Sequence, residues 1–339
     1  MVKKLGTGAL FLGAFLLALA LLSKFYMYDQ LAVVPLNNES TNIAETLPGA
    51  DGEYLDVSAL AVANAPLRNT KVVVGDVEAG KKASEELGKD VAVWNIYDCT
   101  DKTTFDCGSG ETALSATDDR VAFDRTTGEA VTWKDTKSEA DGDVVAPADI
   151  KGLYFKFPFD TQKKTYKFWD GTIREATATT YEGETTVKGL KAYKFRQVIK
   201  PVKTGTIDVP GSLIGQDAAT VTADRIYSSV TNYNVEPVTG VVLQGQTAQD
   251  SYLELDGERV LTTTEATLRY TDKTVTDTVD EYKSKATLLT AIKTWIPVGG
   301  GILGVILIGV GAFLRLGNRS NGSRRADVDS DSDDLVGAR

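Results

Sequence analysis

Leu5-Gly6-Thr7-Gly8-Ala9-Leu10-Phe11-Leu12-Gly13-Ala14-Phe15-Leu16-Leu17-Ala18-Leu19-Ala20-Leu21-Leu22 carries no charge along its length. At about 1.5 Å per residue these residues span roughly 27 Å as a helix, just short of the hydrocarbon core of a bilayer. Lys24 can snorkel while Phe25 to Tyr28 extend the helix into the interface, so the span is read as 5–28. The alternative is a cleaved signal peptide. It is disfavoured because small residues are spread through the run and the one Ala-x-Ala, Ala18-Leu19-Ala20, lies inside the apolar stretch.

A second run, Trp295 to Leu314, reads as another span within 294–314. Its Gly299, Gly300, Gly301, Gly304, Gly309 and Gly311 would weaken a helix in water but allow close backbone approach in lipid. Small residues four apart predict that the spans pack together through Ala9, Gly13 and Ala14 on one and Gly300 and Gly304 on the other. Lys3 and Lys4 precede the first span and Arg315, Arg319, Arg324 and Arg325 follow the second. The positive-inside rule therefore puts residues 1–4 and the tail 315–339 in the cytoplasm, and 29–293 outside a two-pass cell membrane protein. Beyond Arg325 the tail carries an alternating acidic run, Asp327, Asp329, Asp331, Asp333 and Asp334, with almost nothing apolar to bury, and it is expected to be disordered.

Without the five aspartates of the tail and the eight basic residues of the flanks, 29–293 keeps 42 acidic and 29 basic residues, from chain totals of 47 and 37. An acidic surface of this kind excludes non-specific nucleic-acid binding, which needs a basic footprint. The chain has no histidine, which removes Ser-His-Asp and Cys-His catalysis, histidine-ligated zinc and a histidine general base. No Walker motif or nucleophile elbow is present, and Asp160, Asp170 and Glu175 are the only carboxylates weighed for glycoside cleavage. The reading is that the chain is no enzyme and needs no cofactor or metal.

Between the spans, short Thr/Val/Tyr/Phe-rich runs are divided by Gly, Asp and Pro, the texture of antiparallel β structure. Strands are expected near 71–77, 91–97, 120–123, 152–157, 176–181, 190–199, 226–235, 241–243, 251–255 and 260–270, after an extended lead-in over 29–66 with a short helix or strand near Tyr54 to Val62. The expected fold is mainly β with some α: a large antiparallel β-rich extracytoplasmic domain anchored by N- and C-terminal transmembrane helices. One strand-and-turn pattern occurs twice, over Asp119 to Val131 and over Asp224 to Tyr227 followed after a spacer by Glu236 to Val242; in each a strand leads to a polar turn whose glycine, Gly128 or Gly240, suits positive φ. Duplication and convergence on good turn chemistry both account for it, convergence being preferred. Thr274 and Asp277 read as a capping pair for a stalk helix whose Val275, Val279, Tyr282, Ala286 and Leu289 form one apolar face. Cys99 and Cys107, both in the outside region, are expected to form a small disulfide loop.

The most unusual stretch is Leu153-Tyr154-Phe155-Lys156-Phe157-Pro158-Phe159-Asp160-Thr161-Gln162-Lys163-Lys164-Thr165-Tyr166-Lys167-Phe168-Trp169-Asp170. Aromatics alternate there with charges, either as a tightly packed strand pair or as a surface. In the second reading Phe159, Lys163, Lys164, Tyr166, Lys167 and Trp169 are candidate contacts to an anionic lipid headgroup or a glycan.

The opening anchor with Phe25, Tyr26 and Pro35-Leu36, the block Thr117 to Arg125, the block Tyr154 to Tyr166, the block Val209-Pro210-Gly211-Ser212-Leu213 and the block Val235 to Val241 resemble an actinobacterial envelope family known as the porin PorA family. The resemblance runs over nearly the whole chain except the tail. It implies two anchors around a large outside domain in a mycolate-type or related Gram-positive envelope, a role in moving or assembling lipoglycans, and no catalytic residues. Membrane lipids or a lipoglycan are thus the expected partners, with other envelope proteins as the alternative and a porin-like channel component as a third reading.

Overall fold

A computed structural model describes residues 2–110, 112–140 and 143–316. The acidic tail read as disordered lies outside the described residues. The chain divides into two compact units, one formed by 1–31 with the segment from 288 onward and the other by 32–287.

In the first unit, α1 (Val2–Leu22) runs into a π-helical turn, Ser23–Met27, and a short α2 (Tyr28–Leu31). A second π-turn, Ala291–Trp295, leads into α5 (Ile296–Leu316). The two helices are long and apolar enough to cross a membrane. They pack antiparallel, glycine against glycine. A Cβ built on Gly13 would lie 2.7 Å from the carbonyl oxygen of Gly304, and one on Gly311 would lie 2.7 Å from that of Gly6. Near the other end Ser23 Oγ donates to the Ile292 carbonyl at 2.6 Å. The buried small residues on α1 are Gly6, Gly13 and Ala20, seven apart rather than four, facing Gly304 and Gly311, also seven apart. A seven-residue repeat keeps one seam in contact along a left-handed pair, which a four-residue step does not. Ala14, expected in this seam, is exposed; Ala9 is half-buried, and Gly300 lies 3.7 Å from Ala20 Cβ when given a Cβ.

The second unit is one antiparallel sheet. Its strands are β1 (Glu39–Thr46), β2 (Gly52–Asp56), β3 (Ala61–Ala65), β4 (Leu67–Gly75), β5 (Val91–Lys102), β6 (Ser115–Asp124), β7 (Lys137–Ala140), β8 (Asp143–Val145), β9 (Tyr166–Asp170), β10 (Glu175–Val187), β11 (Leu190–Pro210), β12 (Thr220–Val235), β13 (Val242–Leu255) and β14 (Glu258–Tyr270). The order is β8-β7-β6-β5-β4-β1-β14-β13-β12-β11-β10-β9, with β2 and β3 added beside β14. Period-two alternation sorts the side chains. On β4 to β6, Val73, Trp94, Ile96, Val121 and Phe123 enter one core with Ala148 and Ile150. From the opposite face, Val91, Val93 and Ala122 meet Ala79 and Ala83 of α3 (Val77–Leu87).

Several expectations are corrected. The lead-in over 29–66 holds three strands; β2 and β3 fall where one short element is expected, whereas β1, not expected, occupies the middle of the sheet between β4 and β14. The runs 241–243 and 251–255 are parts of one strand, β13. Residues 152–157 form no strand; Leu153 makes only isolated bridges, to Glu129 and Phe168. Helix α3 was not expected, though Asp76 caps it through Ala79 N–H and Gly88 ends it at φ +62°. The stalk helix α4 (Asp272–Thr290) is capped by Thr271, whose Oγ1 accepts from Thr274 N–H at 3.2 Å, while the Thr274 hydroxyl donates to the Ile43 carbonyl. Val275 and Val279 pack against Val187, Ala192 and Leu243, so the apolar face of α4 serves the domain core. Cys99 and Cys107 form the expected disulfide.

Candidate functional site

The aromatic stretch is a strap fixed by two turns of the same construction. In the first, Asp124 N–H donates to the Glu129 carbonyl and Gly128 N–H to that of Asp124. The Asp124 carboxylate accepts from the Thr126 and Thr127 amides and the Thr127 hydroxyl. In the second, Glu236 N–H donates to the Val241 carbonyl and Gly240 N–H to that of Glu236, while the Glu236 carboxylate takes the Val238 and Thr239 amides and the Thr239 hydroxyl. Gly128 and Gly240 sit at φ +76° and +74°, the left-handed region that a side chain disfavours.

Both turns hold the segment 152–161. Ala130 N–H, just past the first turn, bonds to Gly152; Phe157 N–H bonds to Gly240, Asp160 N–H to Val238 and Thr161 N–H to Pro237. Side chains then lock the strap from within. Phe155 lies 4.9 Å from the rings of both Trp94 and Phe123, and Phe157 stacks on Phe195 at 4.5 Å. The Tyr154 hydroxyl donates to the Asp119 carboxylate at 2.5 Å. Burial raises the Asp119 carboxyl above the usual carboxylate range and, with Asp119 beside it, lifts the Tyr154 hydroxyl well above a free phenol.

The candidate contacts fall into two groups. Tyr166 is buried among Phe157, Phe168 and Phe195, and its hydroxyl accepts from Gln162 N–H. Trp169 and Phe159 are partly buried against the Trp94 cluster. Lys163, Lys164 and Lys167 are exposed. Lys163 Nζ is 2.6 Å from Glu184 and 5.4 Å from the Tyr193 ring centre, and Lys164 Nζ is 5.2 Å from that of Tyr166. Beside this group lies a cavity of about 510 Å³ lined by Asp160, Thr161, Gln162, Lys163, Tyr193, Pro237 and Val238. Its walls are the end of the strap and the second turn. Tyr193 and Pro237 were not singled out by sequence reasoning as contacts; the repeated turn pattern was the signal for the second.

Of the carboxylates weighed for catalysis, Asp170 is engaged at both oxygens, by the Thr172 and Ile173 amides and by the Tyr227 hydroxyl at 3.0 Å. Among the described residues no group of three His, Cys, Asp or Glu side chains is placed to hold a metal ion.

Two apolar helices of membrane-spanning length and a mostly antiparallel β domain define a membrane or cell-envelope protein. The chain belongs to the porin PorA family, whose model, described as Porin PorA, matches residues 5–313, both apolar helices and the whole sheet included. It is 24% identical over 301 residues to a Porin PorA of Corynebacterium amycolatum, covering 72% of this chain and 76% of that one. It is 25% identical over 255 residues to a Porin PorA of Corynebacterium resistens, covering 67% of this chain and 61% of the relative.

Proposed function

We propose that this protein is a non-enzymatic, two-pass envelope protein whose β domain lies outside the membrane and binds the headgroup of a lipid or lipoglycan beside the strap. The observation that carries this reading is the cavity walled by Lys163, Gln162, Asp160 and the Tyr193 ring. A lysine, hydrogen-bonding side chains and an aromatic face in one concave site suit an anionic or hydroxyl-rich headgroup. Phe159, Lys164, Tyr166, Lys167 and Trp169 are the other candidate contacts on the same stretch, outside the cavity lining.

A pore is the less favoured reading. The sheet path ends at β8 and β9 rather than closing, and the outward positions of β11 carry Lys191, Lys194, Arg196 and Lys200, which a lipid-facing strand excludes. Helices in glycine contact leave no room for water between them.

The test is native mass spectrometry of the full chain purified in detergent. A co-purifying lipid or glycolipid is expected, reduced at least tenfold in Lys163→Glu/Tyr193→Ala protein with an unchanged thermal melt. A lipid-free chain with reproducible protein partners would favour the assembly reading, and discrete conductance steps in a planar bilayer would favour the channel. Topology is tested separately. Single cysteines at Ser40 and Ser323, in a Cys99→Ser/Cys107→Ser background, should react with a membrane-impermeant thiol reagent on intact cells at Ser40 alone. Labelling at Ser323 would overturn the orientation.

A further inference from the structure

Lys156 sits mid-strap with only 7% of its surface exposed, and its Nζ has no hydrogen-bond partner. Buried charges are ordinarily paired, and an amine without a partner in such a place is an exception that calls for a reason. The amine lies 3.8 Å from the centre of the Phe159 ring, a contact that favours the charged form. Burial works the other way and is the larger influence, bringing the amine down from the ordinary lysine range to about 7, with the Glu236 carboxylate opposing it.

Charged and titratable groups on the surrounding elements are Asp124, Arg125 and Glu129 on the first turn, Glu236 on the second, and Tyr154 and Asp160 on the strap. Of these, Glu236 alone acts appreciably on the amine. The Glu236 carboxylate is already committed to the Val238 and Thr239 amides and the Thr239 hydroxyl, so it does not bond to Lys156. Taking up a proton therefore places an ammonium ion where no acceptor receives it, between the two points at which the strap is held. One of those points, the bonds of Asp160 and Thr161 to Val238 and Pro237, also forms a wall of the cavity.

We propose that the strap Gly152–Thr161 is a proton-controlled cover, held shut by the neutral form of Lys156 and loosened when its amine is protonated. This regulation applies to the ligand cavity described above and rests on that reading for its purpose. The motion itself is read without ligand, so it stands or falls separately from lipid binding.

The direction follows from linkage. An opened strap returns Lys156 to water, where it holds a proton up to about pH 10.5, whereas the closed strap releases that proton near pH 7. The open form therefore binds protons more tightly, and opening grows as pH falls from about 10.5 to about 7, then levels off once both forms are protonated. Hydrogen exchange of the full chain in detergent, corrected for intrinsic amide rates, measures it. The opening constant of strap amides such as Phe157 and Thr161 is expected to rise about fiftyfold from pH 9 to pH 7 and less than threefold below that. Amides of α3 serve as the reference for global opening. Lys156→Met, which keeps the stem and loses the charge, should leave the strap at pH 7 as protected as the wild type is above about pH 10.5, and so more protected than the wild type at pH 9, with a flat profile. Wild-type strap protection that does not change relative to α3 between pH 9 and pH 7 overturns the proposal, as does a pH dependence that survives in Lys156→Met. If that variant fails to fold, the wild-type series alone decides.

Discussion

Gly240→Ala is expected to cost about 4 kcal/mol or more, the range reserved for changes that force backbone apart. A Cβ at this position would stand 2.1 Å from the Phe157 carbonyl oxygen and 2.5 Å from that of Pro158, with φ at +74°. Neither neighbour is a flexible side chain that can swing aside; both are strap backbone, and Phe157 is anchored by its own ring stack. Gly189→Ala provides the comparison, with φ at +84° but nothing within 4 Å of the added atom, so it should cost only the roughly 1 kcal/mol of a left-handed alanine. Thermal melts of the purified chain followed by near-ultraviolet circular dichroism should show Gly240→Ala lower by about 10 °C or failing to accumulate, and Gly189→Ala lower by about 2–4 °C. Equal melting of the two variants would mean that the second turn does not hold the strap.

The second large effect lies between the helices. A leucine at Gly13 would have to place its Cβ 2.7 Å from the Gly304 carbonyl oxygen and 2.8 Å from Ile308 Cγ1. In lipid, helix pairs gain little from hydrophobicity and depend on close packing, so separating the backbones removes most of what joins them. Cysteines at Ala20 and Gly300, whose Cβ positions are 3.7 Å apart, lie within disulfide reach and report the pairing. In a Cys99→Ser/Cys107→Ser background this pair should oxidise efficiently within one chain, and adding Gly13→Leu should slow it at least tenfold. Gly309→Leu, where nothing lies within 4 Å, should leave the rate unchanged. Undiminished crosslinking in the Gly13→Leu protein would refute the glycine seam.

The legible parts of the molecule were those where one periodicity dominates. Uncharged runs marked both long helices, and alternation marked β10 and β12, which have a wetter face and a dry one, while β5 was marked by an apolar run buried on both faces. The strap was misread for a physical reason. Tyr154, Phe155 and Phe157 have the composition of a strand, yet their rings enter two different aromatic clusters, and the backbone bonds go to turn carbonyls far away in sequence. β1 was missed because Glu39 to Thr46 is polar and derives its place from neighbours on both sides rather than from its own pattern. Helix α3 was missed although its caps, Asp76 before it and Gly88 after it, stand in the sequence. Lys156 was visible as a residue but not as a buried one, since a lysine between phenylalanines reads as the wet face of a strand. Nor does sequence order reveal that Tyr193 and Pro237 share a cavity wall with Lys163.

The placement of β1 beside β14 also bears on how the domain is made. Ala44 faces Tyr270, and Thr46 faces Leu268. The first strand of this sheet thus pairs with its last, and the middle of the sheet stays open until synthesis of the domain is nearly complete. Until then β1, paired with β4 on one side, presents an unsatisfied ladder on the other, the kind of exposed edge that recruits other chains. Biogenesis of this protein therefore has a vulnerable interval set by its topology. Its length is governed by the rate of chain synthesis, and a chaperone that shields strand edges would act most usefully between the emergence of β4 and the arrival of β14.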